Sequence, residues 1–406
     1  MSKLQELIAE LCPDGVEYKT LGEVATITRG GNFQKKDYVE SGVPCIHYGQ
    51  IYTRYALFVN ETISFISEDK SKKQKMASTG DIIMAVTSEN IDDVCKCVAW
   101  LGKGKIAVSG HTAIICHTLN PKYLVYYFHS MMFYKQKIKL AHGTKVIEVT
   151  PDKLADIVIP VPPLPVQSEI VRILDNFTEL TAELTAELTA RKKQYEYYRE
   201  QILNLGESSK VKTLGEICDF VRGPFGGSLK KEVFKNNGYA VYEQQHAIYG
   251  EFKFRYFVDE DKFNEMRRFE INAGDLIMSC SGTMGKISII PDEAPRGIIN
   301  QALLKLTAKA GISNKYLKYC FENSITAQMN SNARGGAIKN VASVSVLKDI
   351  TINVPSFEEQ QRIVAILDRF DTLCNDISTG LPAEIEARTK QYEYYRDKLL
   401  TFKELT

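Results

Sequence analysis

Residues 165–204 read PVQSEIVRILDNFTELTAELTAELTARKKQYEYYREQILN, and the periodicity of this stretch decides the fold. Ile170, Leu174, Phe177, Leu180, Leu184, Leu188, Tyr195, Tyr198 and Ile202 recur at steps of three, four or seven. That spacing puts them on one stripe of an α-helix, with Glu and Lys on the opposite face. No Gly or Pro interrupts the run after Pro165. About forty residues at about 1.5 Å each make a rod of about 60 Å, longer than a helix that only covers one face of a core. A rod with one apolar seam needs a partner rod.

The partner lies in the same chain. Between Glu358 and Phe402, EEQQRIVAILDRF is followed, after a different middle, by RTKQYEYYRDKLLTF, and Tyr392 to Arg396 repeat Tyr195 to Arg199 residue for residue. Ile170 answers Ile363 at an offset of 193, whereas Gln194 answers Gln391 at 197. The second copy is therefore longer in its middle, where Gly380 and Pro382 predict a break or kink.

The repeat extends beyond the rods. Tyr18-Lys19-Thr20-Leu21-Gly22-Glu23-Val24 and Arg29-Gly30 return as Val211-Lys212-Thr213-Leu214-Gly215-Glu216-Ile217 and Arg222-Gly223, again offset by 193. Gly80-Asp81 and Gly274-Asp275 each introduce an apolar strand, and Ile157 to Pro162 parallels Ile350 to Pro355 as a short strand handing over to a rod. A repeat this long is a domain duplication. The chain accordingly divides into an N-terminal helix (1–15) completing the second helical region, a first globular domain (16–163), a central helical spacer (164–206), a second globular domain (207–356) and a C-terminal helical region (357–406). The fold class is mixed α+β: two duplicated α/β domains separated by two long antiparallel coiled-coil helical regions, with a pseudo-two-fold. Lys122 to Leu140 and Asn314 to Gln328 are the helical stretches expected inside the domains.

Charge is unevenly divided. The net charge is +1, but residues 165–205 carry five Lys/Arg against seven Asp/Glu, and 357–406 seven against ten. The rods are thus acidic and the remainder holds about +6, compatible with phosphate contacts. Nine cysteines without CxxC or regular spacing predict reduced thiols in a cytoplasmic protein. No apolar run approaches the length of a membrane span.

The order of parts, the paired rods, the QYEYYR repeats and the tandem Thr-Ala-Glu-Leu units at 181–184 and 185–188 resemble the specificity subunit of a type I restriction–modification enzyme, over essentially the whole chain. The resemblance implies a non-catalytic subunit whose two target-recognition domains each read one half of a split double-stranded DNA site. The rods would set the separation and dock two methyltransferase subunits, joined by restriction subunits. No cofactor would be bound by this chain; S-adenosylmethionine, ATP and Mg would be used by the partner subunits. The first domain has Val86-Thr87-Ser88-Glu89-Asn90 where the second has the Ser281-Gly282-Thr283-Met284-Gly285 loop common in such domains.

Residue chemistry agrees with a binder. Asn120-Pro121-Lys122-Tyr123 lacks the second proline of an adenine-methylase loop, the Gly223 to Lys230 stretch lacks the order of a P-loop, and Cys95, Cys97, Cys116 and His117 have no second ligand pair for a metal. No catalytic or metal residue is assigned. Candidate DNA contacts are Gln50, Gln244, Gln245 and His246 for base edges, Ser281, Thr283 and Lys286 for phosphate approach, and Arg29, Lys72, Lys73, Lys75, Arg222, Arg334 and Lys339 for phosphate positioning. Leu180, Leu184, Leu188, Tyr195, Tyr198, Tyr392 and Tyr395 are assigned to the spacer and subunit docking. Two rival readings use the same features: an intracellular coiled-coil adaptor without DNA binding, and a single-chain modification enzyme, which the missing methylase motifs disfavour.

Overall fold

The computed structural model describes residues 2–204, 210–225, 227–281, 283, 285–325 and 344–405. Two compact units form, one from Met1–Thr185 with Glu384–Thr406 and the other from Ala186–Ala383. The division falls inside the long helix, Leu164–Asn204, which gives its first part to one unit and the rest to the other.

In the first unit, the apolar run Ile82–Ala85 is wholly buried and follows a turn at Gly80, whose φ of +94° suits a residue without Cβ. It lies in the middle of a five-stranded mixed sheet, in the order Ala25–Arg29, Thr112–His117, Ile82–Ala85, Cys97–Trp100, Phe58–Val59. A second five-stranded sheet runs Tyr38–Val39, Ser64–Ile66, Val43–Ile46, Ile106–Val108, Lys75–Ala77. The helical stretch expected over 122–140 is two helices, Pro121–Phe128 and Met131–Leu140. Ser130 ends one and caps the next by accepting from Phe133 N, a local hydrogen bond that competes with helix continuation.

The second unit repeats this plan with fewer strands among the described residues. Cys218–Arg222, Leu303–Ala308, Leu276–Ser279 and Ile287–Ile289 form one four-stranded sheet, and Phe257–Val258, Tyr239–Tyr242, Gly297–Ile299 and Glu270–Ile271 form the other. The expected Asn314 helix is α-helical to Cys320 and continues as a π-turn over Phe321–Ile325.

Each domain is tied to its helix by the same bonds. Gln167 accepts from Asn120 N and donates to Pro162 O; Gln360 accepts from Ser313 N and donates to Pro355 O. Both glutamines are buried, at 1% and 0% exposure, so losing either would strand backbone groups away from water. Gly30 and Gly223 are also equivalent: a Cβ would stand 2.0 Å from Ser109 O in one unit and 1.9 Å from Asn300 O in the other. Only glycine permits these approaches.

The chain returns along the long helix as two helices, Phe357–Asn375 and Leu381–Leu399, with the expected break at Gly380 and Pro382. In the first unit Phe177 stacks on Tyr395, with centroids 5.4 Å apart. In the second Phe370 meets Tyr195 at 5.9 Å and Tyr198 at 6.2 Å. Within each unit, then, a part of the long helix packs against one of the two return helices. The Lys3–Leu11 helix joins the first unit, where Leu4 shares a core with Ile170, Leu174 and Leu400. The seam is not uniformly covered. Ile170, Leu174 and Tyr195 are buried, whereas Leu184, Leu188 and Ile202 are half-buried and Leu180 and Tyr198 are exposed. Within the TAEL units Thr185 Oγ1 donates to Thr181 O at 2.8 Å, which satisfies the hydroxyl on the helix without adding to helix stability.

Candidate nucleic-acid interface

In the first domain the strand Ala25–Arg29 ends at Gly30-Gly31, and Gly31 N reaches Val108 O at 2.6 Å. This joins the two sheets and brings the 29–34 loop against the 109–111 loop. The result is a polar cleft of about 420 Å³ lined by Arg29, Asn32, Phe33, Gln34, His47, Tyr48, Ser109, Gly110 and His111. Tyr48 lies between two imidazoles, with centroids 4.5 Å from His47 and 4.9 Å from His111. His47 Nδ1 accepts from Gly49 N at 3.2 Å, which leaves the proton of the neutral ring on Nε2. Burial, followed by the charges of Lys35 and His111, lowers its pKa, so the ring is held as a neutral hydrogen-bonding group.

Arg29 is half-exposed and spends two donors on the loop frame, Nε to Gly110 O at 3.0 Å and Nη2 to Glu148 Oε1 at 2.9 Å. The basic run stands beside the cleft: a Cβ on Gly31 would meet Gln74 Oε1 at 2.3 Å and Lys75 N at 2.9 Å. Lys72, Lys73 and Lys75 are exposed there, Lys72 pairing with Asp69 at 2.8 Å. Gln50 faces the other way. It is 8% exposed, donates to Ser64 Oγ at 2.6 Å and accepts from His47 N at 2.9 Å.

Gln50 caps the short Tyr48–Thr53 helix, and in the second domain His246 does the same for Gln244–Tyr249. Its Nδ1 accepts from Glu243 N at 2.8 Å, so Nε2 is the donor to Lys253 O at 2.9 Å. His246 is fully buried. Both residues have their polar atoms committed within their own domain. Gln244, the positional counterpart of Tyr48, is half-buried; its Nε2 donates to Ser281 O and its Oε1 accepts from Ser281 Oγ at 3.3 Å. Gln245 is half-buried.

Ser279 Oγ donates to Thr283 O at 2.6 Å and accepts from Lys286 N at 3.1 Å. Thr283 and Lys286 side chains are exposed. Arg222 is exposed too, and it pairs with Leu304 on one edge of the strand whose Leu303 pairs with Ser279 on the other, so the two loops leave the same end of the sheet. Gln244, Ser281, Thr283, Lys286 and Arg222 therefore gather at one edge of the second domain. Arg334 and Lys339 lie outside the described residues.

His47, Tyr48, His111, Asn32 and Gln34 were not singled out in the sequence. Only the repeated Arg-Gly pair pointed at their loop. Among the described residues no cluster of three or more His, Cys, Asp or Glu could hold a metal, and no helix is long and apolar enough to cross a membrane. All nine cysteines are free thiols.

Polar and basic side chains thus gather at loops of both domains, on a duplicated frame that comparison with known proteins also finds. The family model described as "Type I restriction modification DNA specificity domain" matches twice, at residues 13–191 and 206–387. A putative type I restriction enzyme specificity subunit of Haemophilus influenzae is 33% identical over 95% of this chain and 96% of its own length. The specificity subunit of the Escherichia coli enzyme EcoR124I/EcoR124II is 38% identical over 59% of this chain and 60% of its own. In three dimensions the chain resembles one from a type I R-M system assembly, at a TM-score of 0.67 and 16% identity over 96% of this chain and 98% of that one. The HsdS subunit from Thermoanaerobacter tengcongensis gives 0.53 and 16% over 96% of each; likeness at that identity speaks for the fold. The chain belongs to the type I restriction–modification DNA specificity family.

Proposed function

We infer that this chain is the DNA sequence-specificity subunit of a type I restriction–modification enzyme, reading a split duplex target with one half assigned to each globular domain. The observation that carries the reading is duplication of the family's specificity domain within one chain, each copy tied to its helix by the same glutamine bonds. Exposed side chains that gather at the loops favour the cleft of domain 1 and the 222/244/281 edge of domain 2 as the DNA-facing surfaces. Lys72, Lys73, Lys75, Thr283 and Lys286 are assigned to phosphate; Asn32, Gln34, His47, Gln244 and Gln245 to base edges. Gln50, His246 and Arg29 hold the loops that carry them.

The chain itself performs no chemistry in this reading. Two methyltransferase subunits dock on the helical pair, where Tyr197 and Tyr394 are each 60% exposed off the seam, a usual mark of a protein interface. Restriction subunits join them, and S-adenosylmethionine, ATP and Mg serve those partners. The coiled-coil adaptor reading lacks an observation in its favour. Replacing residues 219–340 with the counterpart from a relative tests the assignment: one half of the methylated site should change and the other should not. An unchanged site would overturn it.

A further inference from the structure

The Arg-Gly loop is built differently in the two domains. In domain 1, Phe33 is turned inward, 3% exposed, edge-on to His47 with centroids 6.4 Å apart. In domain 2, the aromatic residue of the same loop is Phe225, and it is 94% exposed. A single surface ring would mean little, but this one is mounted. Pro224 before it and Leu229 after it are buried, Ser228 N donates to Phe225 O at 2.9 Å, and Gly223 N donates to Leu303 O at 2.9 Å. The loop's base is a strand end that tolerates no side chain, since a Cβ on Gly223 would lie 1.9 Å from Asn300 O.

The surroundings specify what such a ring meets. From Arg222 to Lys231 the sequence RGPFGGSLKK holds three cations and no carboxylate, and Arg222, Lys230 and Lys231 are exposed. The neighbouring 280–286 loop adds Lys286 and the exposed Thr283. An exposed apolar ring on a loop that carries cations suits a base step flanked by phosphates: the charges hold the backbone while the ring takes a place in the stack. A protein partner would be met better by an apolar patch than by one ring on a loop that carries cations.

We propose that Phe225 is a wedge residue that stacks on, or inserts beside, a base of the half-site read by domain 2, whereas domain 1 reads its half through its polar cleft without a wedge. The proposal rests on the specificity-subunit reading and adds that the two halves are recognised by different physical means. Stacking is sequence-tolerant, so Phe225 supplies affinity and local DNA distortion, and the polar side chains beside it supply base preference.

The test uses the chain assembled with its methyltransferase subunits and duplex target carrying 2-aminopurine at successive positions. With the base that each methyltransferase subunit extrudes left unlabelled, fluorescence in the wild-type complex should rise on binding at one step of the domain 2 half and at none of the domain 1 half. Phe225→Ala should abolish the rise and weaken specific binding about 5- to 150-fold, with an unchanged melting curve; Phe225→Trp should retain most of both. Specific binding by wild type without any fluorescence rise, or full affinity in Phe225→Ala, overturns the wedge and leaves the specificity reading intact. Failure of Phe225→Ala to assemble with the methyltransferase would make the ring a protein contact instead, which also overturns it. If wild type binds no DNA specifically, the functional reading itself falls.

Discussion

The Tyr126 hydroxyl donates to the Asp175 carboxylate at 2.7 Å, and Lys122 Nζ meets the other oxygen of the same carboxylate at 2.6 Å. In the second unit Tyr319 and Lys315 hold Asp368 in the same way, each at 2.7 Å. These bonds add to the glutamine ties that hold each domain's helix against the helical region beside it. Burial raises the Tyr126 pKa well above the ordinary tyrosine value, keeping it a neutral donor across the working pH range.

A double-mutant cycle on Tyr126→Phe and Asp175→Asn should therefore show a coupling of about 0.5–3 kcal/mol, as residues in one network do. Chemical denaturation of the four proteins measures it. The corresponding pair in the second unit should behave alike. Additive single effects would mean that the contact does not lock the domain to its helix.

The capping residues and the exposed polar residues should separate in their phenotypes. Gln50→Ala strands His47 N in the domain interior and should cost about 1–3 kcal/mol of stability, without redirecting specificity. Gln245→Ala, where the side chain makes no cap, should leave the melting temperature within error and relax one half-site by about 1–3 kcal/mol if the contact is bidentate. Thermal melts and competition binding against single-base variants check both.

The break between the return helices carries a pH-sensitive cap. Asp376 accepts from Ser378 N and Oγ and from Thr379 N and Oγ1, and these bonds, the Ser378 hydroxyl first, depress its pKa to about 2. Its unfolded value is about 3.9. A depressed carboxylate contributes stability above the unfolded pKa and loses it as pH falls through the folded one. Asp376→Ala should lower the melting temperature by a constant amount from pH 6 to 8. The gap to wild type should close between about pH 4 and about 2. A gap that is constant down to pH 2 would contradict the cap.

Much of the frame was legible in the sequence because it is periodic or repeated. The apolar stripe specified the long helix, and Gly380 with Pro382 specified the break in its partner. The loops were less legible. His47 and His111 are far apart in the chain and meet only because Val43–Ile46 and Ile106–Val108 pair in parallel, Cys45 opposite Ala107. The sequence shows Gln50 as a polar residue after a strand; it does not show that Ser64 and His47 N are its partners. The leucines of the TAEL units continue the stripe in sequence but are only half-covered, because periodicity reports a face and not what lies against it.

That half-exposed stretch is where a change of helix length should disturb the core least. Deleting residues 185–188 removes about 6 Å and about 400° of helix, a net rotation of about 40°, so the apolar stripe is nearly preserved. B-DNA advances about 3.4 Å and turns about 35° per base pair. The spacer between half-sites should shorten by one base pair, and by no more than two, with both half-sites unchanged. Side-by-side mapping of methylated sites for the parent and the deletion measures it; an unchanged spacer would show that this helix is not the ruler.

The central claim, that one chain carries two independent DNA readers, is tested most directly by genome-wide mapping of methylated bases in cells expressing the chain with its methyltransferase subunit. The predicted result is a new methylated motif in two specified halves separated by a fixed run of unspecified bases. A single uninterrupted motif, or no new methylation while the assembled complex is present, would contradict it.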